Sequence, residues 1–109
     1  MKDIIIAFDI DGVILDNGGK KNADALVKVD IIQFIFLIKK LFHNAHIIIW
    51  TGNSKEYAEE VVEKTGLKEL ISGIHCKWEY DKEKFGEVDI AIDDLEKFDG
   101  GHKNLIVKI

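Results

Sequence analysis

Short apolar runs rich in isoleucine constrain the fold of this chain more than any other feature of its sequence. The clearest are residues 4–8, 45–50 and 88–92. Runs of this length, without the alternation of a half-buried strand, are typical of strands buried on both faces, as in a parallel sheet. Residues 70–76 and 105–109 are predicted as two further strands of the same sheet.

Helical patterns lie between these strands. Apolar residues recur at helical spacing over residues 24–42, and a second helix is predicted over residues 55–65, with Gly66 as its C-terminal cap. A short helix is predicted over residues 78–85. Because strands and helices alternate, the expected fold class is α/β, a mostly parallel five-stranded sheet covered by helices.

The first predicted helix carries more apolar residues than one face needs. Ile31, Ile35 and Ile38 share a face, and Phe36 and Leu37 widen it. One interpretation is a helix that is buried on most sides. The other is that its outer face is a surface for self-association.

Composition limits the domain count, the location and the partners. The 109 residues suit one domain spanning residues 1–109. With 15 basic and 20 acidic residues the net charge is −5, which argues against a nucleic-acid partner. The chain has neither a signal-peptide pattern nor an apolar stretch of about 18 residues that could span a membrane. Its single cysteine, Cys76, cannot form an internal disulfide, so a reducing, cytoplasmic location is expected.

Polar residues follow three of the predicted strands at the points where the strands end. Asp9 and Asp11 follow the first strand, Thr51 the second, and Asp93 and Asp94 the fourth. In open α/β sheets, ligands bind outside the carboxyl ends of the strands, near the point where strand order reverses. Four carboxylates gathered there would repel one another unless a cation lay between them. Hard oxygen ligands favour Mg²⁺, and Mg²⁺ points to a phosphate-bearing substrate.

The same residues fall in motifs that resemble those of the haloacid dehalogenase-like (HAD) superfamily of phosphohydrolases. The first motif of that family, DxDG[TV]xxD, resembles DIDGVILD at residues 9–16. The second, an apolar strand ending in Ser or Thr, resembles IIIWTGN at residues 47–53, and the fourth resembles IAIDD at residues 90–94. The resemblance implies a three-layer, Rossmann-like core with strand order 3-2-1-4-5.

The resemblance also implies a Mg²⁺-dependent phosphatase that forms an aspartyl-phosphate. Asp9 would be the nucleophile and a metal ligand. Asp11 would be the general acid and base, and its backbone carbonyl would bind the metal. Thr51, with the backbone amides near Gly52 and Asn53, would hold the phosphoryl oxygens.

Two further parts of the site follow from the resemblance. Asp93 would complete the metal shell, and Asp94 would bind the metal through water or fix its neighbour. The catalytic lysine of the third motif has three candidates, Lys77, Lys82 and Lys84. Lys77 is preferred because it directly follows the third predicted strand, whereas the other two lie on the short helix.

The spacing of the motifs leaves no room for a cap domain. One loop and one helix separate Asp11 from Thr51, and one helix separates Thr51 from Lys77. In this family, caps enclose small substrates. A capless member is therefore expected to accept a bulky phosphorylated substrate, or to borrow a lid from a partner such as a second copy in a homo-oligomer.

Two other functions use the same residues. A catalytically weak domain would bind a phosphate ligand or another protein without turnover. A receiver-like signalling domain would hold a stable phospho-aspartate. Receivers, however, place their acidic pair after the first strand and the phosphoacceptor after the third, whereas here a DxD motif follows the first strand and the pair follows the fourth.

Overall fold

A parallel sheet forms the centre of the fold in a computed structural model, which describes residues 2–93 and the backbone of Leu105–Lys108. Its strands are β1 (Ile4–Phe8), β2 (Ala45–Thr51), β3 (Gly73–Cys76), β4 (Ile90–Asp93) and β5 (Leu105–Lys108). Strands β3, β2, β1 and β4 lie side by side in that order, and the backbone of β5 pairs with β4. All the pairings are parallel, so the prediction of an α/β fold around a parallel sheet is confirmed.

Helices connect the strands and cover the two faces of the sheet unequally. They are α1 (Val29–Leu41), α2 (Lys55–Thr65), a 3-10 helix (Lys77–Glu79) and α3 (Lys82–Phe85). Ile35 of α1 and Val61 of α2 join Phe8 and Ile49 in the main core, so both long helices pack on one face. The smaller core on the other face surrounds Trp50, and in the described residues its cover comes from short segments. No helix in the described part of the chain is long and apolar enough to cross a membrane.

The caps of α2 fix both of its ends. The side chain of Ser54 accepts a hydrogen bond from the Tyr57 backbone N–H, which satisfies one of the free donors of the first turn. At the other end, Gly66 adopts the left-handed conformation with φ of 73°, where a side chain would be strained. The prediction of a helix over residues 55–65 is confirmed at both ends.

Helix α1 begins at Val29, whereas the sequence pattern predicts a start at residue 24. The residues before it pair with the loop that follows β1. The Asp16 N–H donates to the Leu26 carbonyl at 2.8 Å, and the Lys28 N–H donates to the Ile14 carbonyl at 2.7 Å. Backbone groups used in this tertiary pairing are not free to form a helical turn, so the early start was wrong.

The outer face of α1 is apolar and exposed. Ile31, Ile35 and Ile38 face the core, but Phe36 is 50% exposed and Leu37 is 49% exposed. The interpretation of this helix as buried on most sides is therefore wrong for the single chain. The alternative, a surface for self-association, remains a prediction.

Two short segments also differ from the sequence pattern. The third strand begins at Gly73 and not at residue 70, because the Leu70 N–H closes a turn on the Leu67 carbonyl at 2.9 Å. The short helix predicted over residues 78–85 divides into the 3-10 helix and α3. The Asp81 side chain caps α3 by accepting from the Glu83 N–H.

Candidate active site

The sequence-predicted site residues lie at the carboxyl ends of the strands. Asp9 follows β1, Thr51 ends β2, Asp93 ends β4, and Lys77 directly follows β3. A cleft of about 280 Å³ opens at this edge of the sheet; the residues that line it are Asp9, Asp11, Gly19, Gly52, Asn53, Lys77 and Trp78. Two larger clefts, each of about 550 Å³, contain none of the predicted residues.

The ammonium group of Lys77 lies between two buried carboxylates. Its Nζ is 2.7 Å from Asp93 Oδ2 and 3.3 Å from Asp9 Oδ1. All three residues are buried, and Asp93 is completely so. Of the three lysines considered for this position, Lys77 is therefore the one that contacts Asp9, while Lys82 and Lys84 lie exposed on α3.

Burial raises the pKa of Asp9 from 3.8 to about 7. Loss of hydration is the largest cause. Lys77 opposes it by lowering the pKa, and the nearby Asp93 carboxylate adds to it. With a pKa of about 7, raised mainly by burial, the Asp9 carboxyl is partly protonated at neutral pH. A divalent cation in contact with Asp9 would favour its ionised form.

The carboxylate of Asp11 is held by three side chains at the wall of the cleft. Its Oδ1 accepts hydrogen bonds from Asn17 Nδ2 at 2.7 Å and from the Tyr57 hydroxyl at 2.6 Å, and its Oδ2 accepts from Asn53 Nδ2 at 2.6 Å. The Tyr57 oxygen in turn accepts from the Asn22 N–H at 3.2 Å. Burial, followed by the bond to Asp11, raises the pKa of Tyr57 to about 12, so its phenol stays protonated and donates at neutral pH.

In the turn after β2, two of the groups expected to hold phosphoryl oxygens bond to each other, and their role toward phosphate stays a prediction. Thr51 is completely buried, and its Oγ1 accepts from the Asn53 N–H at 3.0 Å. The Asn53 side chain donates to Asp11, so both the backbone N–H of Asn53 and its side-chain amide group already make hydrogen bonds. Gly52 and Asn53 line the cleft, and a Cβ at Gly52 would lie 3.6 Å from Trp78 Nε1.

The described side chains do not by themselves complete an acidic metal site. Within residues 2–93, no three His, Cys, Asp or Glu side chains come together as a metal-binding group. The Asp11 carboxylate is engaged by its three donors, and the expected ligand Asp94 lies outside the described residues. The hard oxygen donors at the sheet edge are thus the Asp9 and Asp93 carboxylates. The backbone carbonyl of Asp11, two residues after Asp9, is the other expected donor.

Sequence reasoning missed two residues of the candidate site: Tyr57, which donates a hydrogen bond to Asp11, and Trp78, which lines the cleft. Tyr57 occupies a core position of α2 by pattern, and nothing in that pattern reveals that its hydroxyl reaches Asp11. Trp78 was predicted only as the start of a short helix, although its place directly after Lys77 was a usable signal. The indole is 70% exposed at the cleft.

Comparisons with known proteins give no family assignment for the chain. No protein-family model matches it, and no curated protein matches it either. Its function is therefore inferred from the side chains at the sheet edge and from their geometry.

Proposed function

We propose that this chain is a Mg²⁺-dependent phosphomonoester hydrolase that works through an aspartyl-phosphate on Asp9. One observation carries the proposal: the Lys77 ammonium lies between the buried carboxylates of Asp9 and Asp93, and each of the three residues stands at the end of a different strand. The motif resemblance supplies the other parts of the proposal, which are the bound Mg²⁺, the aspartyl-phosphate and the proton transfers by Asp11. In this proposal the chain has the HAD-like core, with its five-stranded order and three layers, as a single capless domain.

Asp9 supplies the nucleophile in this mechanism. One of its carboxylate oxygens attacks phosphorus and forms an acyl phosphate while the bond from phosphorus to the leaving oxygen breaks. Lys77 lies 3.3 Å from the Asp9 carboxylate and is held there by Asp93. Its positive charge is therefore next to the phosphoryl oxygens when they approach Asp9, where it stabilises the transition state.

Asp11 moves the proton in both halves of the reaction. Its carboxyl has to be protonated when the substrate binds, which requires one of the three donors that hold it in the structure to turn away, and it then gives this proton to the leaving oxygen. Its carboxylate then takes a proton from a water molecule as that water attacks phosphorus and the bond from phosphorus to Asp9 breaks. The hydrogen bonds from Asn17, Asn53 and Tyr57 orient the Asp11 carboxyl at the wall of the cleft, where the leaving group has to lie.

The donor set fits Mg²⁺ in kind. The carboxylates of Asp9 and Asp93 and the backbone carbonyl of Asp11 would hold it, with Asp94 as a further ligand. When bound, it would keep Asp9 ionised at neutral pH and offset the charge of the phosphoryl group. When both buried carboxylates are ionised, one lysine leaves a net negative charge at the site. A bound cation would neutralise this charge.

The substrate and the partners are proposed on the same basis. An uncapped cleft suits a phosphorylated substrate that extends beyond it, and a second copy docked through the outer face of α1 is the proposed source of any lid. The acidic net charge of −5 disfavours nucleic acid as a partner. The single cysteine supports a cytoplasmic location.

The test is release of phosphate from an aryl phosphate by the wild type and by Asp9→Asn, with and without Mg²⁺. We expect Mg²⁺-dependent turnover that Asp9→Asn abolishes. The matched control is Asp24→Asn, which makes the same change at an exposed carboxylate and should leave turnover unchanged.

The negative outcomes separate the two alternative functions. Binding of Mg²⁺ and inorganic phosphate without turnover of any phosphomonoester would favour a binding domain. A phospho-aspartate that persists for many minutes without release of phosphate would favour a receiver-like domain.

A further inference from the structure

An exposed tryptophan stands at the candidate site. Trp78 is 70% exposed, yet it lines the same cleft as Asp9 and Lys77. Single apolar side chains on a protein surface are common and do not by themselves indicate a binding site. A large aromatic group at the mouth of a polar cleft is different, because ligand sites typically combine aromatic walls with a few convergent polar groups.

Two neighbours fix the indole next to the reacting end of the cleft. Lys77, the preceding residue, is anchored between Asp9 and Asp93. On the other side, the indole lies near the turn after β2: a Cβ at Gly52 would be in ordinary van der Waals contact with Trp78 Nε1, at 3.6 Å. The ring therefore lies beside the turn after β2, one residue from the lysine that contacts the nucleophile.

The cleft is small, and its lining combines charged groups with one large aromatic side chain. Its volume of about 280 Å³ falls just below the range of about 300–1,000 Å³ typical of pockets that enclose a whole small ligand. Its described lining combines the polar or charged residues Asp9, Asp11, Asn53 and Lys77 with the indole of Trp78. A phosphoryl group bound at Asp9 and Lys77 would share this cleft with the indole, so its leaving group can contact the ring.

We propose that Trp78 stacks on a planar aromatic ring in the leaving group, so that the substrate is a phosphomonoester whose leaving group carries a flat ring. The inference rests on the proposed function. The shared chemistry is the flat ring, which a nucleoside monophosphate or a simple aryl phosphate supplies equally. Stacking of a base on an aromatic side chain tolerates different rings because every ring has a π-face.

Binding is measured in the Asp9→Asn background, which prevents turnover. The probes are adenosine monophosphate, phenyl phosphate and the ring-free glycerol phosphate, followed by calorimetry and tryptophan fluorescence. Stacking of this kind contributes a factor of roughly 5 to 150 in affinity, from about 1–3 kcal/mol per stacked ring. We therefore expect at least one ring-bearing probe to bind more tightly than glycerol phosphate by a factor in that range.

The variants separate the indole from the rest of the site. Trp78→Ala should reduce the affinity for the ring-bearing probes to that for glycerol phosphate, and Trp78→Phe should keep most of the difference. Leu26→Ala, which removes a 79% exposed apolar side chain outside the cleft, should change nothing. Because Trp50 is completely buried, its fluorescence reports whether each Trp78 variant is folded.

The outcomes distinguish this inference from the proposed function. Equal affinities for all three probes, or a ring preference that survives in Trp78→Ala, would overturn the role of Trp78 even if the wild type is a phosphatase. If the ring preference depends on Trp78 but the wild type shows no turnover, the binding site is supported and the phosphatase proposal is refuted. Tighter binding of adenosine monophosphate than of phenyl phosphate identifies a nucleoside, and the reverse identifies an aryl group.

Discussion

Raising the pH should destabilise the metal-free protein through one carboxyl group, that of Asp9. Its pKa is about 7 in the folded chain, against 3.8 for an ordinary aspartate. Below the lower value the carboxyl is protonated in both states. Between the two values the unfolded chain loses this proton and the folded chain keeps it, so the free energy of unfolding falls as the pH rises.

The size of the effect follows from the gap between the two pKa values. At about 1.36 kcal/mol per pKa unit, the total loss above pH 7 is about 4 kcal/mol. Asp9 is only 6% exposed, so water screens little of it. A domain of this kind has a total stability of about 5–15 kcal/mol, so this one group accounts for a measurable share.

The assay is urea unfolding at about pH 4 and about pH 8 in the presence of a chelator, for the wild type and Asp9→Asn. The asparagine cannot ionise, so the variant should lose less stability between the two pH values, by up to about 4 kcal/mol. Asp24→Asn, at an exposed carboxylate, should keep the wild-type dependence. Asp9→Asn also loses free energy of unfolding because its contact with Lys77 is removed. Since this loss enters at both pH values, it cancels when the pH dependences are compared.

Mg²⁺ gives a second measurement of the same group. If it binds the ionised Asp9, it should raise the free energy of unfolding and reduce the loss at about pH 8. Equal pH dependence in the wild type and Asp9→Asn would refute the assignment of a raised pKa to Asp9. Mg²⁺ stabilisation of the same size in both proteins would show that the cation binds elsewhere.

Three further changes test other parts of the molecule. Lys77→Met leaves two buried carboxylates without their ammonium group and should cost about 3–5 kcal/mol in urea unfolding at neutral pH. The matched change at an exposed lysine, Lys68→Met, should stay within about 0.5 kcal/mol. Tyr57→Phe removes the 2.6 Å hydrogen bond to Asp11 and should cost about 1–3 kcal/mol, with a changed pH profile of turnover; an unchanged profile would mean that Tyr57 does not position the general acid. The wild type should sediment as a dimer through the outer face of α1 and Phe36→Glu as a monomer, and a monomeric wild type would rule out this interface.

Local signals explain which parts of the fold were predictable from the sequence. Helix α2 has its own caps, Ser54 and Gly66, so both ends can be read without knowledge of the rest of the chain. The start of α1 depends instead on pairing between the segment before Val29 and the loop after β1, which is a tertiary contact. No pattern within the helix itself reports that contact.

The candidate site likewise has one part that was predictable from the sequence and one part that was not. The meeting of Asp9, Lys77 and Asp93 was predictable in outline, because the carboxyl ends of parallel strands share one edge of a sheet. The surroundings of Asp11 were not predictable. They depend on where the hydroxyl of Tyr57 ends, and a core tyrosine and a core phenylalanine produce the same apolar pattern.

The segment after β3 explains how so small a chain could both catalyse and select. A 3-10 helix has three residues per turn, so consecutive side chains point about 120° apart. Lys77 and Trp78 are consecutive residues of such a helix, and one is 8% exposed while the other is 70% exposed. A single short turn thereby directs an ammonium group to Asp9, the proposed nucleophile, and an indole to the lining of the same cleft. In the proposed mechanism, a leaving-group contact can then come from the residue next to the proposed catalytic lysine, which ties the proposed specificity to the same backbone that positions the charge.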